Sequence, residues 1–280
     1  MDGFRLALRP EVGGRRREAP FLTGVRRREN SPPAADGFPF DLPLLDALPL
    51  EFESAVTFLV GENGTGKSTL IEAIADLCEL PVSGGSKNEY QARHGPEDES
   101  PLSRAVRPVF RVRPGEGYFF RAEMQAHFAS LLDSRRRDPE FGSLNDGKWL
   151  AADPYALYGG QSLHTMSHGE AFLAILQNRI QEGLFLLDEP ESALSPQRQL
   201  VLLLQMRQWV DGGDTQFVIA THSPILMTYP GADIVSLDDG GLKRITLEET
   251  THYAITHGIL DAPERYWKHL VRSDNDSPSE

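Results

Sequence analysis

Residues 61–69 read Gly61-Glu62-Asn63-Gly64-Thr65-Gly66-Lys67-Ser68-Thr69, which has the spacing G-x-x-x-x-G-K-[S/T] of a phosphate-binding loop. A β-branched, apolar run precedes it at residues 56–60, and apolar residues recur at helical spacing over residues 70–77. In this context, backbone N–H groups and a helix N-terminus bind phosphate. The lysine of such a loop contacts the β- and γ-phosphates, and the serine hydroxyl binds Mg²⁺. The sequence therefore predicts a nucleoside triphosphate site formed by all nine residues, with Ser68 as a magnesium ligand.

The composition is typical of a globular protein with a sizeable core. The chain has 280 residues, of which 40% are hydrophobic and 25% are charged. No run approaches the length of a membrane span and the N-terminus lacks an apolar signal core, so we expect no membrane span and a cytoplasmic location. The single cysteine, Cys78, excludes an intramolecular disulfide, and its position in the helix after the loop predicts a small buried side chain.

Charge is unevenly distributed along the chain. The net charge is −13, yet residues 1–30 carry eight arginines against four carboxylates. An acidic body argues against a large duplex-binding face, because phosphate contacts dominate nucleic-acid affinity. The arginine-rich leader, residues 1–19, either contacts nucleic acid or an acidic partner, or is a flexible solvated segment. Residues 271–280 are predicted to be a disordered acidic tail.

Strands and helices are predicted to alternate over the rest of the chain. The first half has a strand at Phe21–Glu29, strand segments at Leu50–Glu53 and Ala55–Val60, an exposed connection at residues 82–101, a hairpin of Val106–Val112 with Tyr118–Glu123, and a helix at Met124–Leu132. The second half has helices from Ser167 to about Gln181 and at Pro196–Val210, and strands at Gly183–Asp188 and Gln216–Ala220. Strands that alternate with helices indicate an α/β fold with a largely parallel sheet covered on both faces.

Two adjacent carboxylates follow a buried strand. The apolar run at residues 184–187 ends in Asp188 and Glu189. In phosphate-loop enzymes such a strand lies beside the phosphate-loop strand, which would bring Asp188 to the magnesium ion. Glu189, one residue further, could take a proton from an attacking water. The pair would then supply a metal ligand and a general base.

Two further motifs have both a structural and a functional interpretation. His222 follows the strand Gln216–Ala220, at an edge where a histidine can hydrogen-bond the γ-phosphate or the attacking water; alternatively, it is a structural histidine. Ser167-His168-Gly169-Glu170 opens a helix as a capping box. The same helix N-terminus could bind a phosphate from another molecule, and both roles can hold at once.

The order of these motifs resembles the ABC-type ATPases over roughly residues 21–245. The resemblance implies a P-loop NTPase with an N-terminal antiparallel β lobe and a helical signature subdomain at about residues 124–181, within an ATPase domain of residues 20–270. In that family two protomers pack head to tail around two ATP molecules. It implies that Ser167, His168, Gly169 and Glu170 act in trans as the signature, that Ser192-Ala193-Leu194 is the dimer-contact turn, that Glu189 is the general base and that His222 is the switch histidine.

The sequence departs from the family pattern at three places. Met166-Ser167-His168-Gly169-Glu170 replaces Leu-Ser-Gly-Gly-Gln, Ser195 replaces an Asp, and the Q-loop glutamine has only Gln125 or Gln91 as candidates. With no room for a coiled-coil arm, the chain is similar to small stand-alone ATPases related to SMC and RecF proteins of repair and defence. The function so implied is ATP hydrolysis that switches the conformation of a protein partner or nucleic acid. The alternatives are a regulatory ATP-binding module with little hydrolysis and the nucleotide-binding subunit of an ABC transporter.

Overall fold

The computed structural model describes residues 18–87, 99–121, 162–180 and 182–272, together with isolated residues between 130 and 160. The strands are β1 Leu22–Arg27, β2 Leu50–Glu51, β3 Val56–Val60, β4 Gly85–Ser86, β5 Val106–Phe110, β6 Gly117–Arg121, β7 Gly183–Asp188, β8 Thr215–Ala220, β9 Asp233–Ser236 and β10 Lys243–Ile245. The helices are α1 Lys67–Leu77, α2 His168–Arg179, α3 Pro196–Asp211, α4 Thr251–Asp261 and α5 Pro263–Arg272. Within the described ranges, no helix is both long and apolar enough to cross a membrane.

The large sheet confirms the predicted fold class. Its strand order among the described residues is β10-β9-β3-β8-β7-β6-β4. The five inner strands run parallel, and β10 and β4 pair antiparallel at the two ends. Every residue of β3, β7 and β8 is buried, as expected for parallel strands with both faces covered. Helices and a small antiparallel sheet provide the cover.

The two faces of the large sheet pack against different elements. Phe58, Phe185 and Phe217 point to the side covered by α2 and α3. Leu59 and Leu186, which alternate with them along the strands, pack on the side of α1 and the small sheet. Cys78 follows α1 and is buried, as predicted. Burial raises the pKa of its thiol to about 12.

Strand β7 is not adjacent to the phosphate-loop strand, so the predicted neighbourhood is wrong. β3 pairs with β8 and β9, and β8 separates it from β7. Asp188 nevertheless reaches the loop, because α1 packs across both β7 and β8. The carboxyl ends of these parallel strands also lie at the same edge of the sheet.

A small antiparallel sheet of order β2-β1-β5 forms the predicted N-terminal lobe. A buried side chain of β8 connects it to the large sheet. The amide oxygen of Gln216 accepts hydrogen bonds from Phe21 N at 2.8 Å and Leu22 N at 2.9 Å. Its amide nitrogen donates to the Leu22 carbonyl at 2.8 Å. One side chain therefore satisfies three buried backbone groups at the junction.

The predicted hairpin of Val106–Val112 with Tyr118–Glu123 is also wrong. β5 pairs with β1 in the small sheet, whereas β6 pairs in parallel with β7 in the large sheet. The burial of the two strands gives the reason: almost all of β6 is buried, whereas β5 is mostly half-exposed. Gly117 permits the pairing with β7, since a Cβ there would lie 2.8 Å from the Leu184 carbonyl oxygen.

Other predicted segments lie wholly or partly outside the described residues. The connection at residues 82–101 contains β4, which is buried and pairs with β6, so it is not exposed throughout; residues 88–98 are outside. Both Q-loop candidates, Gln125 and Gln91, lie outside, as do most of the helix at Met124–Leu132 and residues 1–17 of the leader. Helix α5 includes the first two residues of the predicted tail, and residues 273–280 are outside.

Candidate active site

The phosphate loop joins β3 to α1 through glycines with positive φ. Gly61, Gly64 and Gly66 have φ angles of 143°, 84° and 93°, a region that side chains disfavour. At Gly66, which caps α1, a Cβ would also lie 2.5 Å from a methyl carbon of Leu44. The backbone conformation therefore favours glycine at this position, and any larger residue would also have to displace the Leu44 methyl group.

Lys67 is folded into the loop. Its Nζ donates to the carbonyl oxygens of Gly61 at 2.7 Å and Glu62 at 2.9 Å, and the residue is only 4% exposed. Burial lowers the pKa of Lys67, and nearby carboxylates, Glu189 and Asp238 foremost, oppose that shift. The ammonium lies where phosphate oxygens would compete with the two loop carbonyls.

Asp238 supports the loop from the end of β9, a role that the sequence analysis missed. Its Oδ1 accepts from Glu62 N at 2.8 Å, and its Oδ2 accepts from the Ser236 hydroxyl at 3.0 Å. Asp238 reaches the loop because β9 is the neighbour of β3. The sequence shows a carboxylate after a strand but does not reveal which strand lies alongside.

Ser68 and Asp188 come together at the start of α1. The Ser68 hydroxyl donates to Asp188 Oδ1 at 3.0 Å, and Asp188 is buried. Mg²⁺ takes hard oxygen ligands and typically uses one or two protein groups together with water and substrate phosphates. The described residues contain no larger His, Cys, Asp and Glu cluster suited to a metal ion. A hydroxyl beside a carboxylate therefore fits an ion that also binds a nucleotide.

Arg121 is a second residue that the sequence analysis missed. It is opposite Asp188 in the register of β6 and β7. Its Nη1 lies 2.9 Å from Glu72 Oε1, and its Nε lies 4.0 Å from Asp188 Oδ2. The guanidinium thus offsets part of the negative charge of two mostly buried carboxylates next to the predicted magnesium site.

Glu189 has a left-handed backbone conformation, with φ 47° and ψ 54°. Its N–H donates to the Ala220 carbonyl at 2.9 Å, and its carboxylate is half-exposed. The carboxylate Oε1 is 3.6 Å from His222 Nε2. The two residues predicted to act on water therefore face each other across the ends of β7 and β8, and such backbone outliers are frequent at functional sites.

Two residues without a predicted role hold His222. Its backbone N–H donates to Glu191 Oε1 at 2.5 Å, and its Nδ1 lies 2.7 Å from His252 Nε2. Burial lowers the pKa of His222, with the charge of Lys67 as the next cause, and burial raises the pKa of Glu191. Glu191 stands in the Asp-Glu-Pro-Glu run and could have been suspected. His252 lies 30 residues further along the chain and has no local signal.

The Ser167 segment forms the predicted capping box. Ser167 N donates to Glu170 Oε2 at 2.9 Å, and Glu170 N donates to the Ser167 hydroxyl at 3.4 Å. The hydrogen bonds from Ser167 lower the pKa of Glu170. Arg198 adds to this, donating to Ser167 Oγ at 2.8 Å and pairing with Glu170 Oε1 at 3.0 Å. The described side-chain hydrogen bonds of Ser167 thus go to Glu170 and Arg198 rather than to the phosphate loop, and His168 is exposed.

Gly169 packs under the Arg198 side chain. A Cβ at this position would lie 2.6 Å from Arg198 Nη1 and 2.9 Å from the Ala193 carbonyl oxygen. Ser195, where the family usually has Asp, caps α3 by accepting from Arg198 N at 3.4 Å. Contacts inside the protomer therefore account for the glycine and for the serine that replaces the aspartate.

Comparison with known proteins assigns the chain to a family. The family model described as "AAA domain, putative AbiEii toxin, Type IV TA system" matches residues 56–137 and 168–228, about half of the chain. This chain belongs to that family of AAA-type P-loop ATPase domains. The AAA-type domain is therefore an ATPase, and ATP is its nucleotide.

Relatives of the AAA-type domain include ABC ATP-binding proteins, which confirms the predicted resemblance. The hemin import ATP-binding protein HmuV of Streptomyces coelicolor is 28% identical over 236 residues, covering 81% of both chains. The thiamine import ATP-binding protein ThiQ of Haemophilus influenzae is 24% identical over 201 residues, covering 67% of this chain and 85% of the relative. A solved structure of a putative metal-chelate type ABC transporter, in an inward-facing conformation, has the same fold, with a TM-score of 0.52, 17% identity, and coverage of 84% of this chain and 88% of that one.

Proposed function

We propose that this ATPase closes as a head-to-tail homodimer around ATP and Mg²⁺ and uses hydrolysis to switch the conformation of a protein partner or a nucleic acid. The observation that carries the proposal is the convergence of two pairs at one edge of the sheet. Ser68 lies 3.0 Å from Asp188, and Glu189 lies 3.6 Å from His222. The first pair suits a metal-bound triphosphate, and the second suits a water that attacks it.

Each residue has a distinct role in the proposed reaction. The loop N–H groups and Lys67 bind the β- and γ-phosphates, while Ser68 and Asp188 hold Mg²⁺, which neutralises charge on the phosphates when bound. Glu189 accepts a proton from water as the water oxygen bonds to the γ-phosphorus. The bond from that phosphorus to the bridging oxygen breaks, and ADP leaves. His222 Nε2 hydrogen-bonds the γ-phosphate or the attacking water.

The exposed N-terminus of α2 supports the proposal that a second protomer completes the site. Ser167 and His168 are exposed there, and the Arg198 guanidinium is hydrogen-bonded to Ser167. A helix N-terminus and an arginine both attract phosphate oxygens. The resemblance to ABC-type ATPases assigns this segment to the γ-phosphate of the partner's ATP.

The relatives favour one other candidate, a transporter subunit. HmuV and ThiQ are both described as import ATP-binding proteins. The nucleotide chemistry would be unchanged, and the partner would be a membrane protein. Co-purification of the native chain with a membrane-spanning subunit would favour transport, whereas ATP turnover stimulated by DNA would favour a switch acting on nucleic acid.

The central experiment measures ATP turnover and oligomeric state together for wild type, Glu189→Gln and the control Glu248→Gln, with and without DNA. Glu248 is an exposed glutamate outside the candidate active site, so Glu248→Gln makes the same chemical change at a position where no effect on turnover is expected. Loss of a general base should slow turnover by about 100-fold or more, and the ATP-bound Glu189→Gln protein should accumulate as a dimer. Wild-type turnover in Glu189→Gln would refute the role of Glu189, and a slow but monomeric variant would refute the dimer.

Mixing two inactive variants tests whether the site is shared between protomers. Lys67→Ala removes the loop cation, and Ser167→Asp keeps a good helix cap while adding a charge that repels phosphate. In a head-to-tail dimer, the mixed species has one composite site with both native residues. Turnover should therefore reappear on mixing. Activity of Ser167→Asp alone at the wild-type level, or no recovery in the mixture, would contradict action in trans.

A further inference from the structure

A second histidine contacts the ring of His222 from the C-terminal part of the chain. His252 lies in the first turn of α4, and its Nε2 is 2.7 Å from His222 Nδ1. That turn is anchored by Thr250, which is buried and whose hydroxyl accepts from Tyr253 N at 3.3 Å. The position of His252 is therefore set by the packed start of a helix.

The short distance between the two rings requires one hydrogen atom between them. A neutral imidazole carries one N–H, so one ring donates and the other accepts. If His252 Nε2 donates, the proton of His222 is on its own Nε2. If His222 Nδ1 donates instead, its Nε2 is a bare acceptor. The state of His252 thus determines what His222 presents to the site.

The surroundings of His222 Nε2 favour the first arrangement. This nitrogen is buried and has no hydrogen-bond partner among the described residues. The group in front of it is the Glu189 carboxylate, 3.6 Å away, which can only accept when ionised. The γ-phosphate oxygens expected there are acceptors as well. Burial, and after it the charge of Lys67, lower the pKa of His222, so a neutral ring with its proton on Nε2 suits the site best.

We propose that His252 is a positioning residue for ATP hydrolysis, donating from Nε2 to Nδ1 of His222 and so keeping the His222 proton on the nitrogen that faces Glu189 and the terminal phosphate. The inference rests on the proposed function, since His252 acts only through His222. For histidines that bind metals, partners that fix the tautomer and ring orientation are typically worth about 10- to 100-fold in affinity or activity, and we expect an effect of the same order here.

Three variants separate positioning from a structural role. His252→Phe keeps a ring without a donor, whereas His252→Gln places an amide donor near the position of the imidazole Nε2. His257→Phe is the matched control, because His257 lies on the same helix, with its ring stacked on Tyr253 at 5.3 Å. We expect His252→Phe to lower kcat about 10- to 100-fold with little change in KM. His252→Gln should have most of the wild-type kcat, and His257→Phe should have the wild-type kcat and KM. Equal losses in His252→Phe and His252→Gln would overturn the inference.

A measurement without nucleotide tests the tautomer directly. The ¹⁵N shifts of the His222 ring should show a protonated Nε2 and a bare Nδ1 in wild type, and His252→Phe should shift this balance toward Nδ1–H. A wild-type ring already protonated on Nδ1 would refute the inference. If His222→Ala abolishes turnover while His252→Phe has the wild-type kcat, the positioning role fails and the proposed function stands. If His222→Ala is fully active, the proposed role of His222 itself fails.

Discussion

Replacement of Gly169 by alanine should destabilise the chain, because the new methyl group has no space. It would lie 2.6 Å from Arg198 Nη1 and 2.9 Å from both Arg198 Cδ and the Ala193 carbonyl oxygen. The arginine is partly exposed and can turn away, but it then loses its hydrogen bond to Ser167. The carbonyl belongs to the backbone of the turn before α3 and must itself move.

The expected magnitude follows from three contributions. Loss of the Arg198–Ser167 hydrogen bond costs about 0.5–1.5 kcal/mol, and the overlap with the Ala193 carbonyl costs about 1–3 kcal/mol. Alanine in place of glycine inside a helix returns about 0.5–1 kcal/mol. We therefore expect Gly169→Ala to lower the free energy of unfolding by about 2 kcal/mol, within a range of about 0.5–4 kcal/mol, which lowers Tm by several degrees.

Urea unfolding of Gly169→Ala, Arg198→Ala and the double variant measures this effect. With Arg198 truncated, two of the three close contacts disappear, so the same alanine should cost about 1 kcal/mol less. Unchanged or increased stability of Gly169→Ala, combined with reduced ATP turnover, would refute this reasoning. The glycine would then be required by the nucleotide of a partner molecule rather than by Arg198.

Three further variants or conditions test the core, the cysteine and the switch histidine. Gln216→Leu should lower the free energy of unfolding by about 3–5 kcal/mol in urea, because the N–H groups of Phe21 and Leu22 and one carbonyl lose their partner; a change below about 1 kcal/mol would contradict the role of this side chain. Cys78, buried and with a pKa raised to about 12, should react with a thiol reagent only as fast as the protein unfolds, and rapid labelling of the native protein would contradict its burial. Burial and Lys67 lower the pKa of His222 below its usual 6.5. The stability that the neutral ring contributes should therefore be present above pH 6.5 and be lost as the pH falls through the lowered pKa. His222→Gln should remove this part of the pH dependence, and identical profiles of stability against pH for wild type and His222→Gln would refute the lowered pKa.

Functional residues that depend only on neighbours in the same short segment could be predicted from the sequence. The loop at residues 61–69, the capping box at Ser167 and the carboxylates at the end of β7 all depend on neighbours within a few positions. Asp238 and Arg121 could not be found in this way, because they reach the site through strand order. A sequence does not state that β9 lies beside β3 or that β6 lies beside β7.

The incorrect prediction of a hairpin between β5 and β6 has the same cause, because local sequence does not specify which strands are neighbours in a sheet. The turn residues between β5 and β6 correctly indicate a reversal or a break in the chain, but they do not choose the pairing partner of either strand. β5 pairs with β1 and β6 pairs with β7, and both partners are distant in sequence. The packing of whole layers, rather than the local turn, decides these pairings.

The left-handed backbone conformation of Glu189 lowers the stability of the fold, whereas its side chain is the proposed general base. A residue with a Cβ pays about 1–2 kcal/mol for that conformation, and glycine does not. A library screened for heat resistance should therefore enrich Glu189→Gly, the variant that discards the proposed general base. Selection for thermal stability alone would therefore conflict with catalysis at this position, because the substitution that most easily stabilises the backbone at residue 189 would also remove the proposed general base.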